Sequence, residues 1–357
     1  MVRGVLVAFA GLALVTYSAA ACGGGEKHQY RIVLVGQDAI YSMEADGSGL
    51  AKLSDIGDYS LPSLSPDALS VVWLRRHGLD SGDVCTSNLD GAGIRSLADG
   101  RVAPAESFGP VWLADGSRIA FGAKGLLYFV NIDGTGLRRA YDDAPYHPPT
   151  PGVLSPDGSR ILDTRQADAH FQVFAEELVT RHDTELGNLA APFLPLQAWS
   201  PDGNRVAFLD GDQTTLHVGD VGAGTLTAIE LSTLADRNVL PTWSPDGSRI
   251  ALAVERPSNP GEVRPRSSIL TVNADGTDPR KIVDAGLVPY LPGPPQAALR
   301  WSPDGRRIFF VGQSERCYPG GCTPGSLFVI NSDGSRETRL SDALFYAVLG
   351  FQSRPER

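Results

Sequence analysis

From Arg31 onward the chain alternates between short apolar bursts and polar, glycine-rich breaks. Bursts such as "SRIAF" are β-branched and aromatic, four to six residues long, and predict short strands. Others, as in "LYFVNIDG" from Leu127, alternate and end on an Asp-Gly pair, a strong hairpin-turn signal. The breaks carry Ser-Pro-Asp-Gly. There proline presets the first turn corner, aspartate accepts backbone N–H groups, and glycine takes the left-handed exit.

The bursts repeat. Six copies of one phrase occur: "LSPDALSVVW" from Leu64, "WLADGSRIAF" from Trp112, "LSPDGSRILD" from Leu154, "WSPDGNRVAF" from Trp199, "WSPDGSRIAL" from Trp243 and "WSPDGRRIFF" from Trp301. They start 48, 42, 45, 44 and 58 residues apart. Between them lies a second phrase, as in "IYSMEADGSGLAKLS" from Ile40, "ILTVNADGTDPRKI" from Ile269 and "LFVINSDGSRETRL" from Leu327. Each pair of phrases reads as four antiparallel strands, A to D, with tight turns at A–B and C–D. A period of 40 to 50 residues is the signature of a β-propeller blade, which buries its faces only by stacking on neighbours. Four of the five tryptophans hold one repeat position beside the A–B turn, the place for a wedge between blades. Eleven turn aspartates, from Asp46 to Asp333, are enough by themselves to account for the net charge of −10, so acidity says little about a ligand. That charge does exclude nucleic acid as an expected partner.

These WSPDG and NADG halves, recurring in fixed order from Tyr30 onward, resemble the TolB-like, WD40-like propeller repeat of bacterial envelope proteins. The resemblance implies an all-β propeller with an interaction role beside an envelope partner, and a relation to the propellers of prolyl-oligopeptidase-type enzymes. The blade count follows from the ends. "RIVLVG" (Arg31 to Gly36) opens without a preceding A strand, and "FYAVLGFQ" (Phe345 to Gln352) lacks a following B strand. Sharing one sheet, they complete a seventh blade; covering an edge instead, they leave six.

The first 22 residues change the picture of location. Arg3, the apolar run Gly4 to Val15 and the small residues up to Cys22 read as an export signal ending like a lipoprotein lipobox, with Ala19 in place of the usual leucine. Cys22 is then the expected lipidation site, residues 23–30 a flexible tether, 31–352 a single propeller domain and 353–357 a tail. The expected place is the bacterial cell envelope, with membrane contact through the lipid only. Export implies an oxidising compartment, where Cys317 and Cys322, flanking a Pro-Gly-Gly turn, are expected to form a disulfide and Cys85 to stay a buried thiol.

Strand order separates two faces. The A–B and C–D turns are short; the B–C and D–A connections carry every long insertion, from "YDDAPYHPPTPG" (Tyr141 to Gly152) to "GQSERCYPGGCTPGS" (Gly312 to Ser326). Loops on a rigid scaffold are the usual home of binding residues. The candidate partner-binding residues on this long-loop face are Tyr146, His147, Arg264, Arg266, Tyr290 and Tyr318. No G-x-S-x-G elbow or metal-ligand spacing occurs, and no hydrolase domain, catalytic residue, metal or cofactor is expected. The expected function is non-catalytic binding of an envelope protein or peptide by a monomer. The alternatives are binding of carbohydrate or cell-wall fragments, and a lyase or hydrolase site assembled from several blades in the central channel.

Overall fold

In the computed structural model the described residues are 30–36, 39–55, 59–77, 82–98, 110–123, 126–140, 154–168, 170–190, 197–211, 213–231, 237–256, 266–283, 299–312, 317–318, 321–322 and 325–353. They form strands and turns throughout, arranged as seven antiparallel blades in a ring. Blade 1 holds β1 (Tyr30–Gly36), β2 (Ala39–Glu44) and β3 (Ala51–Asp55) as its B, C and D strands. Blade 2 is β4 (Tyr59–Leu64), β5 (Ser70–Arg76), β6 (Gly82–Asn88) and β7 (Arg95–Ala98). Blade 3 is β8 (Val111–Trp112), β9 (Arg118–Ala123), β10 (Leu126–Asn131) and β11 (Arg138–Arg139). Blade 4 has β12 (Arg160–Ala167), β13 (His170–Glu177) and β14 (Asp183–Leu189), and its A strand shrinks to the bridge between Leu154 and Ile161.

Blade 5 follows with β15 (Gln197–Trp199), β16 (Arg205–Leu209), β17 (Thr215–Asp220) and β18 (Thr225–Glu230). Blade 6 is β19 (Arg237–Trp243), β20 (Arg249–Arg256), β21 (Arg266–Asn273) and β22 (Arg280–Val283). Blade 7 contains β23 (Leu299–Trp301), β24 (Arg307–Gly312), β27 (Gly325–Asn331) and the first half of β28 (Thr338–Ser353), with a hairpin of β25 (Cys317–Tyr318) and β26 (Gly321–Cys322) in its B–C connection. The A strands of neighbouring blades touch one another, whereas D strands such as β18 are mostly exposed, so A is inner and D outer.

The seven-blade reading, with both chain ends in one sheet, holds. Closure uses one long strand. β28 runs for 16 residues: its first half pairs with β27 as the D strand of blade 7, and its second half pairs with β1 as the missing A strand of blade 1.

Alternation along each B strand decides the packing. In β20, Ile250, Leu252 and Val254 face blade 5, while Ala251 and Ala253 face blade 7. Seven buried apolar clusters result, one at each interface, each with at least seven buried residues. At about 1.5–3 kcal/mol per buried large side chain, these slabs dominate stability.

The repeated phrase adds directional bonds. Trp112, Trp243 and Trp301 each donate Nε1–H to a carbonyl of the preceding blade, on Ser63, Ala198 and Thr242, at 3.1, 2.8 and 3.2 Å. In the other direction Arg160 and Arg205 donate to the turn carbonyls of Gly203 and Gly247 in the next blade, at 3.2 and 2.7 Å. Arg205 also lies over the Trp243 ring, 5.0 Å from its centre. At about 1 kcal/mol net each, such bonds fix the spacing of blades rather than supply their cohesion.

At the 7–1 seam Arg307 donates to the Ala45 carbonyl at 3.4 Å and to the Tyr30 hydroxyl. Tyr30, Phe309 and Phe351 pack edge to face around that link.

Within each A–B turn the polar groups satisfy one another. Ser244 Oγ donates to Asp246 at 2.6 Å and accepts from the Arg249 amide at 2.9 Å, while the Ser248 amide donates to Asp246 at 3.0 Å. These bonds, from Ser244 first, hold the Asp246 carboxyl below its ordinary value of 3.8, and Ser200 does the same for Asp202. The opening phrase of each blade is therefore framework.

Two outcomes follow from the turns. A carboxyl whose pKa is lowered by folding stabilises the fold above its ordinary value and ceases to do so as pH falls through the folded value. Stability measured by urea unfolding is thus expected to hold from neutrality to about pH 5 and to fall steadily below about pH 4, with Asp246→Asn showing a shallower fall. Ala68, at φ 56°, stands where Gly116, Gly158, Gly203, Gly247 and Gly305 take φ between 66° and 70°. Ala68→Gly is expected to raise unfolding stability by about 1 kcal/mol, since an L residue in this region costs about 1–2 kcal/mol.

Candidate functional site

The candidate binding residues fall on the long-loop side in chain order, yet most lie outside the described residues. Tyr146, His147, Arg264 and Tyr290 do so entirely. Arg266 opens β21 in blade 6, opposite Arg256, and Tyr318 pairs with Gly321 across the β25–β26 hairpin of blade 7, so their backbones lie at the B–C ends of adjacent blades. Their side chains are outside the described set. Cys317 and Cys322 are register partners across that hairpin. Cys85 is a free, fully buried thiol on β6, pushed up to about 11 by burial. It is no nucleophile in that state.

Two polar groups that the repeat analysis passed over are built from described residues. The first is on the blade 1 side of blade 2, at the B–C end. Asp83 accepts from Arg75 Nη2 at 2.8 Å and lies 2.8 Å from His77 Nε2. Burial alone would raise the Asp83 carboxyl; the bonds from Arg75 and His77 more than reverse this and hold it below its ordinary value.

The second group is larger and sits on the side of blade 4 that faces blade 3. Pairing across β12, β13 and β14 places Asp163 opposite Phe174, Arg165 opposite Gln172, and Glu176 opposite Asp183. The Arg165 guanidinium reaches Asp183 at 2.5 Å, Glu176 at 3.5 Å and Asp163 at 3.5 Å, and lies 4.5 Å from the Phe174 ring centre. Arg181 clamps the other oxygen of Glu176 at 2.6 Å. Burial pushes the Glu176 carboxyl above its ordinary value, which the two guanidiniums oppose without fully offsetting.

Register shows how unusual this is. The position of Asp163 is held by Leu34, Trp73, Phe121, Phe208, Leu252 and Phe310 in the other six blades. Glu176 stands where they carry Met43, Ser87, Val130, Gly219, Val272 and Ile330. The clue is legible in the repeat, since "LSPDGSRILD" is the one copy of six that ends on a charge. Chemically the group offers three carboxylates against two guanidiniums beside an aromatic face. Every carboxylate of the group is engaged by a guanidinium, so its charges are largely paired among themselves. Near the axis, Arg300 on β23 donates Nε–H to the Val348 carbonyl at 3.3 Å, and burial lowers its pKa. Among the described residues no cluster of three or more His, Cys, Asp or Glu is arranged to hold a metal ion.

The fold and these groups define a seven-bladed β-propeller with a charged patch between two blades. Among solved structures, the chain is similar to a functionally unknown protein from Desulfotomaculum acetoxidans, with TM-score 0.58, 13% identity, and 92% and 100% of the two chains covered. It is similar also to an oligogalacturonate lyase in complex with manganese, with TM-score 0.56, 13% identity and 87% and 84% coverage. TolB from Acinetobacter baumannii aligns at TM-score 0.49 and 15% identity over 90% and 82% of the chains. At these identities the likeness shows the fold alone. No family model and no curated protein matches the chain.

The blade 4 network has a measurable signature. Glu176→Ala leaves Arg165 and Arg181 short of a partner and is expected to cost about 1–3 kcal/mol in urea unfolding, less than a fully buried pair because Arg165 is half-exposed. Replacing Asp163, Arg165 and Glu176 together by Leu, Val and Val, as blade 6 has them, is expected to leave stability equal or higher. A large loss in that triple variant would show the network to be a stability element.

Proposed function

We propose that the chain is an exported, lipid-anchored propeller of the bacterial cell envelope that binds a protein or peptide partner through its long-loop face. The carrying observation is the division of labour between the faces. On the short-turn face the repeated Ser, Asp and Arg groups bond to one another and to the next blade. The insertions that break the repeat lie at the opposite ends of the strands. A rigid ring presenting irregular loops is a binding scaffold, and the candidate tyrosines and arginines are residue types that anchor interfaces. A Cys317–Cys322 disulfide belongs to this reading. It would fix the blade 7 hairpin that carries Tyr318, and the register of β25 and β26 supports it. The proposed role needs no cofactor.

Chemical crosslinking in the intact envelope tests this reading. The wild-type chain is expected to give a discrete crosslinked partner. A variant with Tyr146, His147, Arg264, Arg266, Tyr290 and Tyr318 all changed to Ala is expected to lose it, by at least about tenfold in yield if even one or two are hot spots. Cys22→Ala is expected to release the chain from the membrane fraction. An unchanged partner band in the six-residue variant would sink the long-loop face as the binding surface.

A further inference from the structure

The short-turn face carries a feature that the framework does not explain. Five large apolar side chains are exposed among the described residues: Leu50, Leu69, Ile94, Leu137 and Val179, at 42% to 83% of full exposure. Exposed apolar residues scattered singly are ordinary. These are not scattered. All five sit in A–B or C–D turns, hence on one face, and all belong to the consecutive blades 1 to 4. Leu50, Ile94 and Leu137 hold one and the same turn position; blades 6 and 7 have Pro279 and Glu337 there. An exposed Lys or Arg follows within two residues of four of them, namely Lys52, Arg95, Arg138 and Arg181. Apolar tips flanked by long cationic side chains suit the boundary between acyl chains and phosphate headgroups.

The topology says what lies against this face. β1 is a B strand, so it starts at the short-turn face, where Tyr30 is bonded by Arg307 just after the blade 7 turn. β1 therefore begins at the same face, in blade 1, the blade whose C–D turn carries Leu50. From Cys22 only Gly23 to Gln29 intervene, so Cys22 lies at most about 29 Å from Tyr30 when the tether is fully extended. To present the opposite face to a membrane, the tether would have to pass two outer strands and climb the height of a blade. At about 4.8 Å between strands and 3.4 Å per residue over six residues, that path is about 30 Å. The tether covers that path only at the limit of its extension, whereas the short-turn face lies at its base.

We propose that the short-turn face of blades 1 to 4 rests on the lipid surface in which Cys22 is anchored. Leu50, Leu69, Ile94, Leu137 and Val179 seat among the headgroups, and the long-loop face is turned away to meet its partner. This orientation rests on the lipid-anchor reading, and two measurements keep them apart. Palmitate incorporation into the full chain, lost in Cys22→Ala, reads the anchor alone. Vesicle binding of residues 23–357, which include the whole described ring, reads the face alone. On vesicles of phosphatidylethanolamine and phosphatidylglycerol, the wild-type ring is expected to partition at least about tenfold better than a form with all five residues changed to Ser.

An environment-sensitive fluorescent amino acid at position 137, in the otherwise unchanged full chain, guards against misfolding of the five-Ser form. Brominated lipid is expected to quench it there and not at position 168, an exposed B–C turn residue of blade 4 on the opposite face. Equal partition of both forms, with no quenching at 137, would overturn the proposal while leaving palmitate incorporation untouched. Self-association of the ring that the Ser form loses, without vesicle binding, would assign the face to a second copy and overturn it as well. Quenching and partition in a chain that takes up no palmitate would uphold the lipid-facing surface and remove the anchor.

Discussion

A four-stranded sheet of this size has two apolar faces and no layer of its own to cover them. Everything else in the molecule answers that constraint. Ile250 and Leu252 can leave water only against blade 5, and Ala251 only against blade 7. The core is therefore seven slabs, and each blade is stable only as far as its neighbours hold it. The Trp and Arg of the repeated phrase act across these slabs in opposite directions, one bonding the blade before and one the blade after. Such a chain of neighbour contacts has two loose ends unless it closes. β28 closes it by serving two blades, with Arg307 and Tyr30 supplying at the seam the kind of link that Arg205 and Gly247 make elsewhere.

Blade 4 is where this logic is broken, and the break is local. Its A strand is a single bridge, and three positions turned toward blade 3 carry Asp163, Arg165 and Glu176. The cost of placing these charges at an interface is offset only by mutual pairing, with Arg165 serving three carboxylates. An irregular blade within a regular ring is a place where sequence has been freed from packing.

The two faces divide in the same physical terms. Short turns demand particular residues at each corner, so the A–B face repeats and its polar groups are satisfied internally. The B–C and D–A connections face no such demand and vary in length. The apolar arc of Leu50, Leu69, Ile94, Leu137 and Val179 is an exception on the repeating side, at positions where turn geometry is indifferent to side chain. It lies on the face where β1 begins.

By itself the sequence determined the strands, the turns, the period and the wedge position of the tryptophans, and left the number of blades at six or seven. Each of these depends on residues within about fifty positions of one another and is written several times over. Cys85 as a buried thiol was legible too, because it lies within a repeat strand and the expected local pairing of Cys317 with Cys322 leaves it over. Tertiary structure decided what depends on register between distant strands. That Asp163 and Glu176 occupy core positions of the other blades is visible only once Ile161 is paired with Glu176 and the blades are laid over one another. That β28 serves two sheets, and that five exposed apolar turns share a face with the start of β1, follow from closing the ring. The physical reason is the same throughout: hydrogen-bonded turns are local, whereas the burial of a blade's faces is settled by its neighbours.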